Sequence, residues 1–250
     1  MSEYSIKTFA NEKEREARNE LVKLFRNSPI PDDQILLNLG LFINSKTMAR
    51  ILFMNYIYQK IVDIPGVVFE FGCHWGQNSV LFSTFRGIYE PFNRHRKIVA
   101  FDTFDGFPSI DKNDGTSDLM EVGNLKLPLY YEDQLKAIMQ CHENDNPLNH
   151  IKKHEVVKGD ASVEVQKYLT NHPETIISLA YFDFDIYQPT KDVLGYIKDR
   201  ITKGTVIAFD ELNDPDSPGE TIALMEIFGL NNIELKRYRY ASRVSYFVVK

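Results

Sequence analysis

The hydrophobic positions of this chain fall into short apolar runs separated by amphipathic stretches. The runs are typical of buried strands, and they lie at residues 67–71, 98–101, 155–157, 176–182 and 205–209. A stretch with helical periodicity follows each run, and such alternation predicts a mostly parallel sheet with helices on both faces. Two late segments, 233–238 and 243–249, alternate between apolar and polar positions and predict a terminal antiparallel pair. We therefore predict an α/β fold with a seven-stranded sheet.

Two further helices are predicted before the first strand, at residues 11–27 and 45–62. They precede the strand–helix units, so we divide the chain into an N-terminal helical extension, 1–65, and an α/β domain, 66–250. The extension could cover a cofactor, shape an acceptor pocket or form the contact of a homodimer.

Two details of the α/β domain are predicted from its glycine and proline positions. The irregular stretch at 103–127 is long for a connection, which is typical of a functional lid or a disordered segment. Gly204 follows a helical pattern that ends near residue 201, so we expect it to be the C-cap of that helix.

Composition narrows the class of protein. The 250 residues are 43% hydrophobic and 26% charged, as in an ordinary globular protein, and the net charge of -6 argues against a surface for nucleic acid or anionic membranes. The sequence has no apolar run of membrane-spanning length and no apolar signal core at its start. With only two cysteines, a disulfide framework is not expected and the cytoplasm is the predicted location.

A nucleoside site is predicted where the first two strands flank a glycine turn. Gly72 and Gly76 follow the first strand, and Asp102 ends the second. In such units the acid binds the two ribose hydroxyls, while the turn brings backbone N–H groups to the rest of the ligand. The sequence therefore predicts a cofactor that contains a nucleoside.

The turn itself favours one cofactor over another. A dinucleotide turn needs a third glycine, whereas this turn carries the bulky residues Cys73, His74 and Trp75. S-adenosylmethionine, which has no phosphates, fits this turn better. Its amino-acid end would contact the turn and its ribose would bind Asp102. Its adenine would lie near Gly159 and Asp160.

Acidic residues follow strand after strand in the predicted sheet. They are Asp102, Asp160, Asp183, Asp185, Asp210 and Glu211. Ligands of open α/β sheets bind outside the carboxyl ends of the strands, and parallel strands present those ends at one edge. We therefore expect these carboxylates to share one site.

Four motifs carry a resemblance to a known family. They are EFGCHWG at 70–76, AFDTFDGFP at 100–108, FDFDIYQPT at 182–190 and AFDE at 208–211. Together they resemble the macrocin O-methyltransferase family of sugar O-methyltransferases. The resemblance implies a class I methyltransferase (Rossmann-like) fold, S-adenosylmethionine and Mg2+ as cofactors, and a sugar or nucleotide-sugar acceptor. It also implies a role in natural-product or bacterial surface-polysaccharide (capsular) biosynthesis.

The resemblance assigns roles to the acids. It implies that Asp183, Asp210 and Glu211 are metal ligands and that Asp185 is the general base. The family more often has a second aspartate where this chain has Glu211. Three carboxylates suit a hard cation such as Mg2+. The predicted cofactor-binding residues are Glu70, Gly72, His74, Gly76, Asp102, Thr103, Asp160 and Asp183.

Other functions stay open at this point. The acceptor could instead be a catechol-like diol or another small metabolite, since the metal chemistry is the same. An NAD-dependent nucleotide-sugar oxidoreductase is a rival from another class. The pair Tyr56 and Lys60 has the spacing of short-chain reductases, but it precedes the first strand and is expected to pack a helix. A non-catalytic domain that keeps this fold is a third reading.

Overall fold

The structure is a computed structural model that describes residues 10–250. Its α-helices are α1 (Glu12–Arg26), α2 (Asp32–Ile35), α3 (Ser45–Gln59), α4 (Gln77–Tyr89), α5 (Tyr131–Asn144), α6 (Ala161–Asn171), α7 (Tyr187–Ile197) and α8 (Gly219–Ile227). Its strands are β1 (Val67–Phe71), β2 (Ile98–Asp102), β3 (His154–Lys158), β4 (Ile177–Phe182), β5 (Ile201–Phe209), β6 (Lys236–Arg237) and β7 (Ser245–Val248). Short 3-10 turns lie at Leu36–Phe42, Lys112–Asp114, Lys198–Arg200 and Leu230–Asn232.

One seven-stranded sheet carries the fold, in the order β3-β2-β1-β4-β5-β7-β6. The first five strands in this order are parallel, and β7 runs antiparallel between β5 and β6. The predicted mostly parallel sheet with its terminal antiparallel strands is confirmed. The strand order reverses between β1 and β4, and ligands bind outside the carboxyl ends of strands at such a switch point.

Side chains of alternate strand residues form two cores, one on each face of the sheet. Val68 and its neighbours pack against α3, α4 and α5, whereas Phe69 and Phe71 pack against α6, α7 and α8. The central strands are buried on both faces, which explains why they read as continuous apolar runs.

The two long helices before β1 differ in how they are held. Asn44 caps α3, and Phe53, Met54, Ile57 and Tyr58 of that helix are fully buried in the same core as β1. Helix α1 has no buried residue along its described span, Glu12–Arg26. Helix α3 is therefore a structural layer over the sheet, whereas α1 lies on the surface.

None of the described helices is by itself long and apolar enough to cross a membrane. The segments Asp32–Phe42 and Ser45–Gln59 reach that length and composition only as a pair, and the pair is bent by 97°.

The expected helix C-cap at Gly204 is wrong. Helix α7 ends at Ile197, and β5 begins at Ile201. Ile177 pairs with Ile201, whereas Leu179 pairs with Val206, so β5 carries extra residues between these two pairs. Gly204 takes φ +92° in this irregular part of the strand, and a Cβ there would lie 2.4 Å from the Ile64 side chain. The glycine marks a strand irregularity rather than a helix end.

The 103–127 stretch is an ordered wall rather than a disordered segment. Phe104, Phe107 and Leu127 are buried, and the stretch contains the turn Lys112–Asp114. The buried Asp114 carboxylate accepts a hydrogen bond from the Tyr187 backbone N–H at the start of α7. These contacts fix the stretch over the carboxyl ends of the strands.

Candidate active site

A cleft opens at the carboxyl ends of the parallel strands. Its lining comes from the turn after β1, the end of β2, the 103–127 wall, the start of α6 and the turn after β4. The lining residues that had been predicted are Gly72, His74, Asp102, Thr103, Asp160, Asp183 and Asp185. The cleft therefore coincides with the switch point of the sheet, as the sequence predicts.

The turn after β1 needs its glycines. Gly72 takes φ +76°, and a Cβ there would lie 2.1 Å from the Asp183 carbonyl oxygen. Gly76 takes φ +77° at the start of α4, where a Cβ would meet the Leu135 side chain. His74 lies between them at φ 48°, and its Nε2 is buried with no hydrogen-bond partner among the described residues. Burial lowers the pKa of His74, so its ring is neutral at pH 7 and free to donate or accept.

Asp102 is fixed by the two turns that flank it. Its Oδ2 accepts the His74 backbone N–H at 2.7 Å, and its Oδ1 accepts the Phe104 N–H at 2.6 Å. Burial raises the pKa of this carboxyl, and the two hydrogen bonds oppose that rise. Each oxygen keeps a further lone pair, so a carboxylate held this way can accept hydrogen bonds from a diol in the cleft.

Glu70 does not line the cleft. It is fully buried behind the glycine turn, where Ser79 of α4 donates its hydroxyl hydrogen bond to the carboxylate. Burial raises the pKa of Glu70 to about 7. The position does not support direct contact with a cofactor, because the side chain joins β1 to α4 instead.

Thr103 and Asp160 line the cleft but already have local partners. The Thr103 hydroxyl donates to the Gly106 carbonyl at 2.7 Å. Asp160 is the N-cap of α6 and accepts the Ser162 N–H at 2.9 Å. Both side chains shape the cleft wall, and the Asp160 cap directs the start of α6 toward it.

The acids after β4 and β5 converge beside the cleft. Asp183 and Asp185 line it, and Asp210 lies next to them at the end of β5. Tyr181 donates its hydroxyl hydrogen bond to Asp210 Oδ1 at 2.8 Å. Burial, with the negative charge of Asp210, raises the pKa of Asp183 well above its usual range and that of Asp185 to about 7. A carboxyl with such a pKa can accept a proton near neutral pH.

Two solved structures of one protein resemble this chain along nearly its whole length. The crystal structure of CalS11, calicheamicin methyltransferase, is 37% identical at a TM-score of 0.94, with 99% of this chain and 98% of that chain covered. The apo structure of CalS11, TDP-rhamnose 3'-O-methyltransferase, is 36% identical at 0.86, with 96% of each chain covered. This chain belongs to the CalS11 methyltransferase family.

Membership in the CalS11 family makes the chain an S-adenosylmethionine-dependent O-methyltransferase, in agreement with the cofactor predicted from its turn. The structure of the O-methyltransferase NovP, 14% identical at a TM-score of 0.58 over 94% of this chain and 98% of that chain, supports the class I methyltransferase fold. No protein-family model and no curated protein sequence matches the chain.

The three acids expected as metal ligands from the macrocin resemblance contact arginine side chains in this member of the CalS11 family. The Glu211 carboxylate is paired with Arg243. Arg50 of α3 places its Nη2 2.6 Å from Asp210 Oδ1 and its Nη1 3.6 Å from Asp183 Oδ2. Within residues 10–250, no three His, Cys, Asp or Glu side chains are grouped so that they could hold a metal ion. As arranged, these residues do not fit Mg2+, which needs several free oxygen ligands.

Asp183, Asp185, Asp210 and Glu220 form a carboxylate cluster that Arg50 contacts. The sequence reasoning missed two of these five residues, Arg50 and Glu220. Glu220, in the first turn of α8, is fully buried, and its Oε1 accepts the Phe184 backbone N–H at 2.9 Å. The turn that Phe184 belongs to also carries Asp185, whose φ is 62°. Glu220 thus holds the turn that carries Asp185 in a left-handed conformation that a non-glycine residue rarely takes.

The reductase-like pair lies away from the cleft. The Tyr56 hydroxyl is 2.8 Å from the Tyr246 hydroxyl, and the Lys60 ammonium lies 4.3 Å from the centre of the Tyr56 ring. Neither residue is among those that line the cleft. The pair packs α3 against β7, as expected.

Proposed function

We propose that this protein transfers the methyl group of S-adenosylmethionine to a hydroxyl of a nucleotide-activated sugar, in natural-product or surface-polysaccharide biosynthesis. The observation that carries the proposal is the position of Asp185, which lies both in the cofactor cleft and in the carboxylate cluster. The sugar class is supported by CalS11, a TDP-rhamnose 3'-O-methyltransferase that is 36% identical over 96% of this chain.

Cofactor binding is assigned to the cleft residues. Asp102 would accept hydrogen bonds from both ribose hydroxyls, because its two oxygens are already oriented by backbone N–H groups. The Gly72–Gly76 turn would contact the amino-acid end of the cofactor, and the unpartnered His74 Nε2 would bind a polar atom there. Thr103 and Asp160 would border the ribose and adenine.

The transfer step needs one proton acceptor. The acceptor hydroxyl oxygen attacks the methyl carbon in line with the carbon–sulfur bond, and S-adenosylhomocysteine leaves with the electron pair of that bond. Asp185 takes the hydroxyl proton, so the sulfonium charge and the proton are both accounted for. Holding the oxygen, carbon and sulfur in line would supply much of the acceleration. No cysteine or serine nucleophile is required.

Magnesium dependence and the macrocin family name stay predictions of the resemblance. Asp183 and Asp210 lie close enough to share Arg50, whereas Glu211 pairs with Arg243.

We propose that the helical extension, 1–65, forms part of the acceptor side of the methyltransferase domain, 66–250. Arg50 supports this assignment, because it is the residue of α3 that enters the carboxylate cluster. Cytoplasmic location and a homodimer stay predictions.

The test is an acceptor screen with S-adenosylmethionine. The panel contains TDP-rhamnose, other nucleotide sugars and a catechol, and the readouts are S-adenosylhomocysteine release and the mass of the product. Methylation of a nucleotide sugar is expected. Methylation of the catechol alone would overturn the sugar assignment. The oxidoreductase alternative predicts binding of NAD+ rather than S-adenosylhomocysteine, which calorimetry would distinguish.

A further inference from the structure

We propose that Arg50 is an internal cation that competes with divalent metal ions for the carboxylates of Asp183 and Asp210. The inference concerns cation binding and holds whether or not the acceptor is a sugar. Two of the three expected metal ligands, Asp183 and Asp210, contact Arg50, and the third, Glu211, is paired with Arg243.

The geometry makes the competition direct. Arg50 Nη2 lies 2.6 Å from Asp210 Oδ1, which also accepts the Tyr181 hydroxyl hydrogen bond at 2.8 Å. That oxygen already has two donors, so a metal ion could bind it only if a donor left. Arg50 Nη1 lies 3.6 Å from Asp183 Oδ2, which is too far for a hydrogen bond but within the distance of an ion pair. One guanidinium therefore spans both carboxylates.

Helix α3 holds Arg50 at this place. Arg50 lies three, four and seven residues before Phe53, Met54 and Ile57, which are fully buried against the sheet. Residues at these spacings share one helix face, so the packing that fixes α3 also directs Arg50 toward the strand ends. The side chain remains 33% exposed, which leaves it room to withdraw.

The charge of the cluster explains why a cation is needed there. Asp183, Asp185, Asp210 and Glu220 are mutually close, and Glu220 Oε2 has no hydrogen-bond partner among the described residues. Burial alone would lower the pKa of Arg50, but the negative charge of Asp210 and Asp183 raises it above its ordinary value. Arg50 stays charged and offsets part of the negative charge that a divalent cation would otherwise offset.

The consequence is a metal affinity limited by Arg50. If the metal binds only when Arg50 has withdrawn, the apparent dissociation constant is the intrinsic one divided by the fraction of molecules with Arg50 withdrawn. Removing the guanidinium removes this penalty.

The experiment is a Mn2+ titration of the full chain, followed by electron paramagnetic resonance of free Mn2+. We expect Arg50→Gln to bind Mn2+ at least about tenfold more tightly than wild type, a gain of about 1.4 kcal/mol. Arg50→Lys keeps a cation and should bind close to wild type. The double variant Arg50→Gln with Asp210→Asn should lose the gain, which locates the bound ion.

Equal or weaker Mn2+ binding by Arg50→Gln, including no binding by either protein, would overturn the proposal. Thermal melting and S-adenosylhomocysteine affinity verify that each variant is folded. If Arg50→Gln does not fold, Arg50→Met carries the same prediction, since it also removes the charge and keeps an unbranched side chain. Because the readout is metal binding, failure of the acceptor screen does not affect it.

Discussion

The two ends of the sheet use arginine differently. At the amino ends of the strands, Arg96 is 1% exposed, and each of its guanidinium nitrogens has an acceptor. The acceptors are both Glu90 carboxylate oxygens, the carbonyls of Ile61, Ile64 and Gly66, and the Ser178 hydroxyl. Such a saturated network joins the residues just before β1 and β2 to β4 and to the end of α4, and it leaves no group for a ligand.

At the carboxyl ends, Arg50 faces more carboxylates than it can pair. It contacts Asp210 closely and Asp183 at longer range, while Asp185 and Glu220 are buried nearby. Burial, together with this excess of negative charge, raises the pKa of Asp183 and Asp185. The saturated Arg96 serves stability, whereas the unsaturated Arg50 lies at the site where we propose that methyl transfer takes place.

The largest effect on stability is expected from replacing Arg96, at the amino ends of the strands. Arg96→Met should lower the free energy of unfolding by about 3–5 kcal/mol, because it leaves the Glu90 carboxylate buried without its partner. Urea denaturation measures the loss. The matched control is Arg94→Met, which removes an exposed guanidinium and should change stability by less than about 0.5 kcal/mol. Similar losses for both variants would show that Arg96 is not a structural centre.

The second-largest effect is expected on the pH dependence of stability when Glu70 is replaced. The folded protein holds the Glu70 proton up to a pKa of about 7, above the ordinary 4.5, so this residue's contribution to stability falls as pH rises between these values. Glu70→Gln cannot lose that proton. Between pH 4.5 and 8, the free energy of unfolding of Glu70→Gln should therefore rise relative to that of wild type by at most about 3 kcal/mol. This estimate uses about 1.4 kcal/mol per pKa unit. Parallel stability profiles, measured by urea denaturation at several pH values, would contradict the raised pKa.

Cofactor affinity should show the smallest change in free energy. Asp102→Asn removes the charge that would accept the ribose hydroxyls, so S-adenosylhomocysteine should bind about tenfold to a hundredfold more weakly, or about 1.5–3 kcal/mol. Calorimetry measures this change. Asp105→Asn, at an exposed acid paired with Lys126, serves as the control and should bind like wild type. An unchanged affinity for Asp102→Asn would assign the ribose to another residue.

Much of the fold follows from the sequence because the central strands are buried on both faces. Their apolar runs locate β1, β2 and β4 to within a residue, and parallel topology then brings Asp102 and Asp183 to one edge. The prediction of a helix C-cap at Gly204 was wrong because glycine occurs at strand irregularities as well as at helix ends. The order of the 103–127 wall depends on distant contacts such as Asp114 with Tyr187, which no local pattern encodes.

The missed site residues come from helices rather than strand ends. Their approach to the cleft is set by how α3 and α8 pack, which local sequence does not state. Arg50 did leave a signal, because it shares the spacing of the apolar face formed by Phe53, Met54 and Ile57. A charged residue on the buried face of a helix indicates a partner in the core. Glu220 left no comparable signal.

The central claim is that Asp185 accepts the proton at the junction of the cofactor cleft and the carboxylate cluster. The most direct measurement compares methyl transfer and S-adenosylhomocysteine affinity between wild type and Asp185→Asn. We predict that the variant binds S-adenosylhomocysteine within about twofold of wild type and transfers methyl at least about a hundredfold more slowly. Transfer at the wild-type rate would contradict the account, and so would a loss of rate fully explained by lost cofactor binding.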